Sequence, residues 1–266
     1  MPEWKLLISN NFTDLIDYRE KNSKDESSTC GCTAFAVSDN ERMVFGQTWD
    51  MGAYALPYVV SIKIMSTPQI EILTCAGSLA LCGVNEYGLG VFINNLKTNE
   101  IAHGLIMPAL VKKMLTMKNS LEALCFIQNN LPSSGHNYLI CDPDRMISVE
   151  TTGKQYEVIH NTTSSDCYFH TNHFLSATLP EIKPKYNSTY ARYGELTEYF
   201  TKTENKAPDM NKLVCDVMSG AKNPSVCRKS GVLTCGGMIY DTKERKGIVY
   251  HDHNPFDESK KHNFHF

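Results

Sequence analysis

Apolar residues run from Cys32 to Val37, stop at the polar stretch Ser38-Asp39-Asn40-Glu41-Arg42, and resume from Met43 to Trp49. Two apolar runs of strand length around a polar turn predict a β-hairpin. The same pattern predicts strands at Val59 to Met65, Ile70 to Cys75, Gly90 to Ile93, Asn137 to Cys141, Met146 to Glu150, Gln155 to Ile159, Leu233 to Asp241 and Gly247 to His251, with a tight turn over Asn85 to Gly88. Helical spacing takes over at His103 to Met117, Ser120 to Asn129, Ser188 to Thr201 and Met210 to Met218, with a short helix at Phe12 to Lys21. Ser120 is a good cap for the second of these, and Pro132 a stop after it. Blocks of strands alternating with paired helices predict a layered α+β sandwich and not a doubly wound parallel sheet.

Polar residues mark the segments between. Asn22 to Thr29 reads as a flexible linker that would tolerate a proteolytic boundary, and Asn254 to Phe266, polar and histidine-containing, as a loosely ordered tail. At 266 residues, 42% hydrophobic and 21% charged, the chain can bury a large core. A net charge of -3 gives no basic footprint for nucleic acid and no polybasic patch for a membrane. The apolar runs are far shorter than a bilayer span and the opening residues lack a signal-peptide pattern, so a cytoplasmic location is expected. The sequons at Asn11, Asn161 and Asn187 are then chance matches to a short pattern. Of ten cysteines, Cys75, Cys82, Cys125, Cys141, Cys215 and Cys235 lie in apolar runs and are expected to be reduced core residues.

Cys32 differs from these because Gly31 precedes it. Cleavage between them would leave an amino-terminal cysteine whose α-amine, titrating near ~8, could take the thiol proton without a neighbouring histidine. Glycine before it allows the close backbone approach that attack on its carbonyl demands. A buried strand cysteine is the plain alternative.

Asp50 ends the second arm of the hairpin that Cys32 begins, so it could lie beside the Cys32 amine, or simply be a strand-end aspartate. Asn94 and Asn95 end an apolar strand, where an asparagine facing a cleft can donate to a substrate carbonyl. Asn172, between His170 and His173, is a candidate oxyanion donor. The two histidines find no third and fourth ligand at zinc-like spacing nearby, and Cys30 with Cys32 has no second cysteine pair, so no metal is expected. Arg228, after the turn at Pro224, is a solvated cation or a bidentate partner of Asp50.

In order and spacing, these segments resemble the acyl-coenzyme A:6-aminopenicillanic acid acyltransferase family of N-terminal nucleophile hydrolases, relatives of the choloylglycine hydrolases. Gly31-Cys32-Thr33 matches the self-cleavage site and Gly46-Gln47-Thr48-Trp49-Asp50 the following segment, with Asp50 lying 50 − 32 = 18 residues after Cys32. His170 to His173 and Ser225 to Arg228 match two later motifs in the same order.

The resemblance runs from about Trp4 to Asn254 and implies a four-layer αββα sandwich. It implies Cys32 as nucleophile, Asp50 and Arg228 as its orienting pair, Asn172 as oxyanion donor, and Asn95, less so Asn94, as a substrate contact. It divides the chain into a propeptide-like α-fragment (1–31), an N-terminal nucleophile hydrolase domain (32–253) and the polar tail (254–266), with α- and β-fragments remaining associated after cleavage at Gly31-Cys32. The implied activity is hydrolysis or transfer of the acyl group of a small N-acylated compound, without a cofactor, with an acyl-CoA or an amine acceptor as further partners. In that family the segment ahead of the nucleophile is usually much longer than the 31 residues here, so an upstream portion is expected to be absent from this chain. Two readings from other classes remain open: an unprocessed binding or scaffold protein, and a zinc module using Cys30, Cys32, His170 and His173.

Overall fold

A computed structural model describes residues 2–11, 15, 30–39, 41–183, 188–203 and 209–266. The expected linker over Asn22 to Thr29 lies outside these residues, as does nearly all of the expected helix at Phe12 to Lys21. A helix not foreseen from the sequence, α1 (Glu3–Asn10), opens the chain.

The predicted hairpin forms β1 (Cys30–Ser38) and β2 (Met43–Gly52), paired antiparallel. Side chains alternate between faces along a strand. Here Ala34, Ala36, Phe45 and Trp49 enter one apolar cluster while Phe35, Val37 and Val44 enter another. Both faces are covered, which is why these strands read as nearly continuous apolar runs.

Two antiparallel sheets result. β3 (Val59–Ile64), β4 (Ile70–Cys75), β5 (Cys82–Asn85), β6 (Gly90–Asn95), β7 (His136–Cys141), β8 (Met146–Thr151) and β9 (Tyr156–Thr162) follow one another in a seven-stranded sheet. The other sheet has six strands in the order β10-β1-β2-β11-β12-β13, with β10 (Cys167–His170), β11 (Val232–Asp241), β12 (Lys246–His251) and β13 (Lys261–His265). Gly90 lets the sheets approach: a Cβ there would stand 2.4 Å from the Phe45 ring.

Helices α2 (Met107–Met114) and α3 (Ser120–Asn129) pack on the seven-stranded sheet through Leu110, Val111, Ala123 and Ile127. On the other sheet lie α4 (Ser188–Lys202), α5 (Met210–Leu213) and the π-helical turn Val214–Met218, packed through Leu196, Phe200, Leu213 and Val217. The architecture is the expected four-layer αββα sandwich.

Several boundaries move for local reasons. α2 is shorter than the expected His103 to Met117: Pro108 in its first turn suits a helix start, and the cap residue Ile106 is extended. The cap of α3 is Asn119, which accepts the Glu122 N–H at 2.9 Å, and not Ser120. β5 and β10 have four residues each, too few to display a period.

Residues 254–266 are not the expected loose tail. β13 pairs with β12, and Phe264 stacks on Tyr240 at 5.8 Å between ring centres. Phe264 and Phe266, two residues apart, supply the apolar face that the polar composition hides. Cys82, Cys141 and Cys235 are buried as expected, whereas Cys125 and Cys215 are exposed on the helical layers. No helix among the described residues is long and apolar enough to cross a membrane.

Candidate active site

The β1–β2 register sets Gly31 opposite Asp50 and Cys32 opposite Trp49. Alternation then puts the Cys32 and Asp50 side chains on opposite faces of the sheet. Cys32 turns inward between the sheets with Trp49, while Asp50 turns toward the helical layer. The Cys32 thiol is 3% exposed.

Around the Gly31-Cys32 bond the backbone is held by side chains from β6, from α4 and from the segment that follows β10. Cys32 N–H donates to Asn172 Oδ1 at 2.9 Å. The Cys32 carbonyl accepts from Arg192 Nη1 at 2.5 Å and from Asn94 Nδ2 at 3.0 Å. Arg192 also donates to Thr33 Oγ1 at 3.0 Å and, through Nη2, to Asn172 Oδ1 at 2.8 Å. Gly31 fits where little else would: a Cβ on it would lie 3.2 Å from Asp50 Oδ2, 3.4 Å from Arg192 Nη2 and 3.5 Å from Asn172 Oδ1.

Asp50 is fully buried. Its Oδ1 accepts from the Thr234 hydroxyl at 2.7 Å, and its Oδ2, the oxygen beside Gly31, has no hydrogen-bond partner among the described residues. Burial raises its carboxyl above the usual aspartate range, against the opposing pull of Arg192, the Thr234 hydroxyl and Arg228. Arg192 is the stronger of the two cations acting on it. Arg228 is half-buried and makes no ion pair with Asp50 among the described residues. It reaches Asp50 through Thr234, whose hydroxyl accepts the Arg228 backbone N–H at 2.8 Å.

The asparagines divide their work. Asn94 is wholly buried and bridges the sheets, donating also to His170 O at 3.2 Å and accepting from Asn137 Nδ2 at 3.1 Å. Asn172 accepts from the Cys32 N–H and Arg192 through Oδ1 and spends one amide proton on Asn95 O at 3.1 Å. The Asn95 side-chain oxygen is buried and without a hydrogen-bond partner among the described residues.

His170 and His173 belong to the frame of the Asn172 segment. His170 Nε2 meets Glu150 Oε1 at 2.7 Å and Nδ1 meets Thr171 O at 2.6 Å. His173 Nδ1 sits between the Thr189 and Thr171 hydroxyls at 2.9 and 3.1 Å, and burial with the nearby His170 lowers its pKa to about 4. Among the described residues no three His, Cys, Asp or Glu side chains are grouped to hold a metal ion.

Arg192 is the residue that sequence reasoning missed. Its signal is helical period: the buried stripe of α4 is Thr189, Arg192, Leu196 and Phe200. An arginine on the apolar stripe of a helix must find fixed acceptors, because charges are almost never buried unpaired.

The acyl-coenzyme A:6-aminopenicillanic acid acyl-transferase family model matches residues 37–253. The chain belongs to this family. The match begins downstream of Cys32, so the reading of the nucleophile stands on the geometry above. Solved structures with the same fold include a mutant of conjugated bile acid hydrolase from Clostridium perfringens, with a TM-score of 0.57 at 12% identity over 88% of this chain and 92% of that one. Penicillin V acylase from Agrobacterium tumefaciens aligns with a TM-score of 0.56 at 12% identity, over 83% and 82% of the two chains. The acyl-transferase family member described here thus shares the fold of that hydrolase and that acylase. No curated protein matches its sequence.

Proposed function

We propose that this chain is a self-processing cysteine N-terminal nucleophile hydrolase that cleaves or transfers the acyl group of a small N-acylated compound through a Cys32 thioester. The observation that carries the reading is the setting of the Cys32 nitrogen, held by Asn172 Oδ1 at 2.9 Å, with Asp50 Oδ2, unpartnered among the described residues, on the Gly31 side. Removal of Gly31 would leave an α-amine between an amide oxygen and a carboxylate, with the Arg192 guanidinium close by to favour its neutral, proton-accepting form.

In processing, Cys32 Sγ bonds to the Gly31 carbonyl carbon, and the Gly31-Cys32 C–N bond breaks as nitrogen takes the thiol proton. Water then adds to the thioester carbon, the C–S bond breaks and sulfur regains a proton. This leaves a Gly31 carboxylate and a Cys32 α-amine. In turnover that amine takes the thiol proton, Sγ attacks the substrate carbonyl, and the substrate C–N bond breaks as the leaving amine takes that proton. Water or an acceptor amine then adds to the thioester carbon, the C–S bond breaks and sulfur regains a proton. Asn172, with its second amide proton, and the Asn95 side chain would contact the substrate. Asp50 and Arg228 orient the amine from the helical side.

The α-fragment would stay bound after the cut. Asn10 holds α1 to the body, donating to Gly77 O at 2.8 Å and accepting the Leu79 N–H at 2.7 Å. Hydrolysis is favoured over transfer because water is always available as acceptor. The family name and the two fold neighbours, a hydrolase of conjugated bile acids and a penicillin V acylase, point the same way to acyl chemistry on small molecules. A denaturing gel tests the reading: two bands from the native sequence and one from Cys32→Ala support it, and one band from both contradicts it.

A further inference from the structure

Asn172 lies just past the end of β10, outside any helix or strand, so something must hold its side chain on the Cys32 nitrogen. We infer that Glu150, on the facing sheet, is a positioning residue for that asparagine. The inference rests on the proposed role of Cys32.

Glu150 is wholly buried on β8, in the seven-stranded sheet, yet its carboxylate grips the 170–176 segment at both ends. Oε1 receives His170 Nε2 at 2.7 Å and the Leu175 N–H at 2.7 Å, and Oε2 receives the Ser176 N–H at 2.9 Å. The two backbone donors cannot accept, so both oxygens must act as acceptors, which a carboxylate does and a carboxamide cannot. Residues 170 and 175 are thereby tied to one group, and the chain between them is forced into a loop with Asn172 near its crest.

The helical side completes the clamp. Asn172 N–H donates to Thr189 Oγ1 at 2.7 Å, and Thr171 Oγ1 donates to Thr189 O at 3.1 Å. Thr189 and Arg192 lie one turn apart on α4, so the helix fixes the Asn172 backbone and its side-chain oxygen together. Glu150 supplies the opposite jaw. Charged hydrogen bonds to buried backbone groups are the strong ones, and buried networks of this kind hold one geometry.

A double-mutant cycle separates positioning from general stability. Processing of freshly made chain is followed by intact mass for the native sequence, Glu150→Gln, Asn172→Ala and the double variant, with thermal melting run alongside. The expected result is a loss of at least ~10-fold in cutting rate for Glu150→Gln that vanishes in the Asn172→Ala background. Equal losses in both backgrounds, or native cutting in Glu150→Gln, overturn the inference. If Glu150→Gln does not fold, His170→Gln enters the same cycle, weakening the clamp with the carboxylate in place. A native chain that is never cut would refute the proposed processing, not the clamp. Hydrogen exchange of the residue-32 amide in Cys32→Ala then decides, since added Glu150→Gln should speed it at least ~10-fold and unchanged exchange would overturn the inference.

Discussion

Asp50 and Gly31 face each other across the β1–β2 ladder, and Asp50 Oδ2 lies 3.2 Å from the point where a Gly31 Cβ would stand. The scissile residue is thus packed against a buried carboxylate that has one oxygen to spare. Gly31→Ala should process at least ~10-fold more slowly than the native chain, because the added methyl would stand 3.2 Å from Asp50 Oδ2, which must give way to admit it. Mass spectrometry of the two chains at matched times checks this.

Burial raises the Asp50 carboxyl, and the sign of its pH effect follows. A carboxyl raised on folding contributes stability that is full below the ordinary aspartate value of ~4 and is lost as pH rises through the folded value. Asparagine cannot ionise. In the Cys32→Ala background, Asp50→Asn should therefore gain stability relative to Asp50 as pH climbs from about 3 to about 7. Melting curves across that range test it, and a difference that moves the other way would mean that Arg192 and Thr234 outweigh burial. In the native background Asp50→Asn should slow processing about 10-fold or more.

Arg192→Lys keeps the charge and loses the fork that joins Cys32 O, Thr33 Oγ1 and Asn172 Oδ1. Lysine has no planar pair of donors to replace it. A stability loss of ~2–4 kcal/mol by denaturant titration is expected, together with slower processing. Native rates in this variant would exclude a role for Arg192 at the site.

Phe264→Ala tests the edge strand. Its ring is buried against Tyr240, so truncation should cost ~3 kcal/mol in a denaturant titration while processing of the folded protein stays native. No loss would mean that β13 contributes little to the sheet.

The strands and helices were legible where burial on two faces wrote long apolar runs, as in β1, β2 and β11. They were not where an element is short, as in β10, or where two aromatic residues carry a polar strand, as in β13. The site was legible as a set of chemically suited residues in order. Its geometry was not: spacing along the chain does not reveal that the register pairs Asp50 with Gly31 and turns its side chain to the face opposite the Cys32 thiol. Arg192 and Glu150 escaped because neither sits in a recognisable motif. One shows only as a cation on an apolar helical stripe, the other as a carboxylate at the end of the buried strand Met146–Thr151.

The central claim concerns one bond. Intact-mass analysis of the purified chain, before and after iodoacetamide, tests it most directly. The account predicts two fragments that divide between Gly31 and Cys32, with a fast-forming adduct on the new amino-terminal cysteine, beyond any at the exposed Cys125 and Cys215, that is absent from Cys32→Ala. One uncut mass, with residue 32 inert to the reagent, would contradict it.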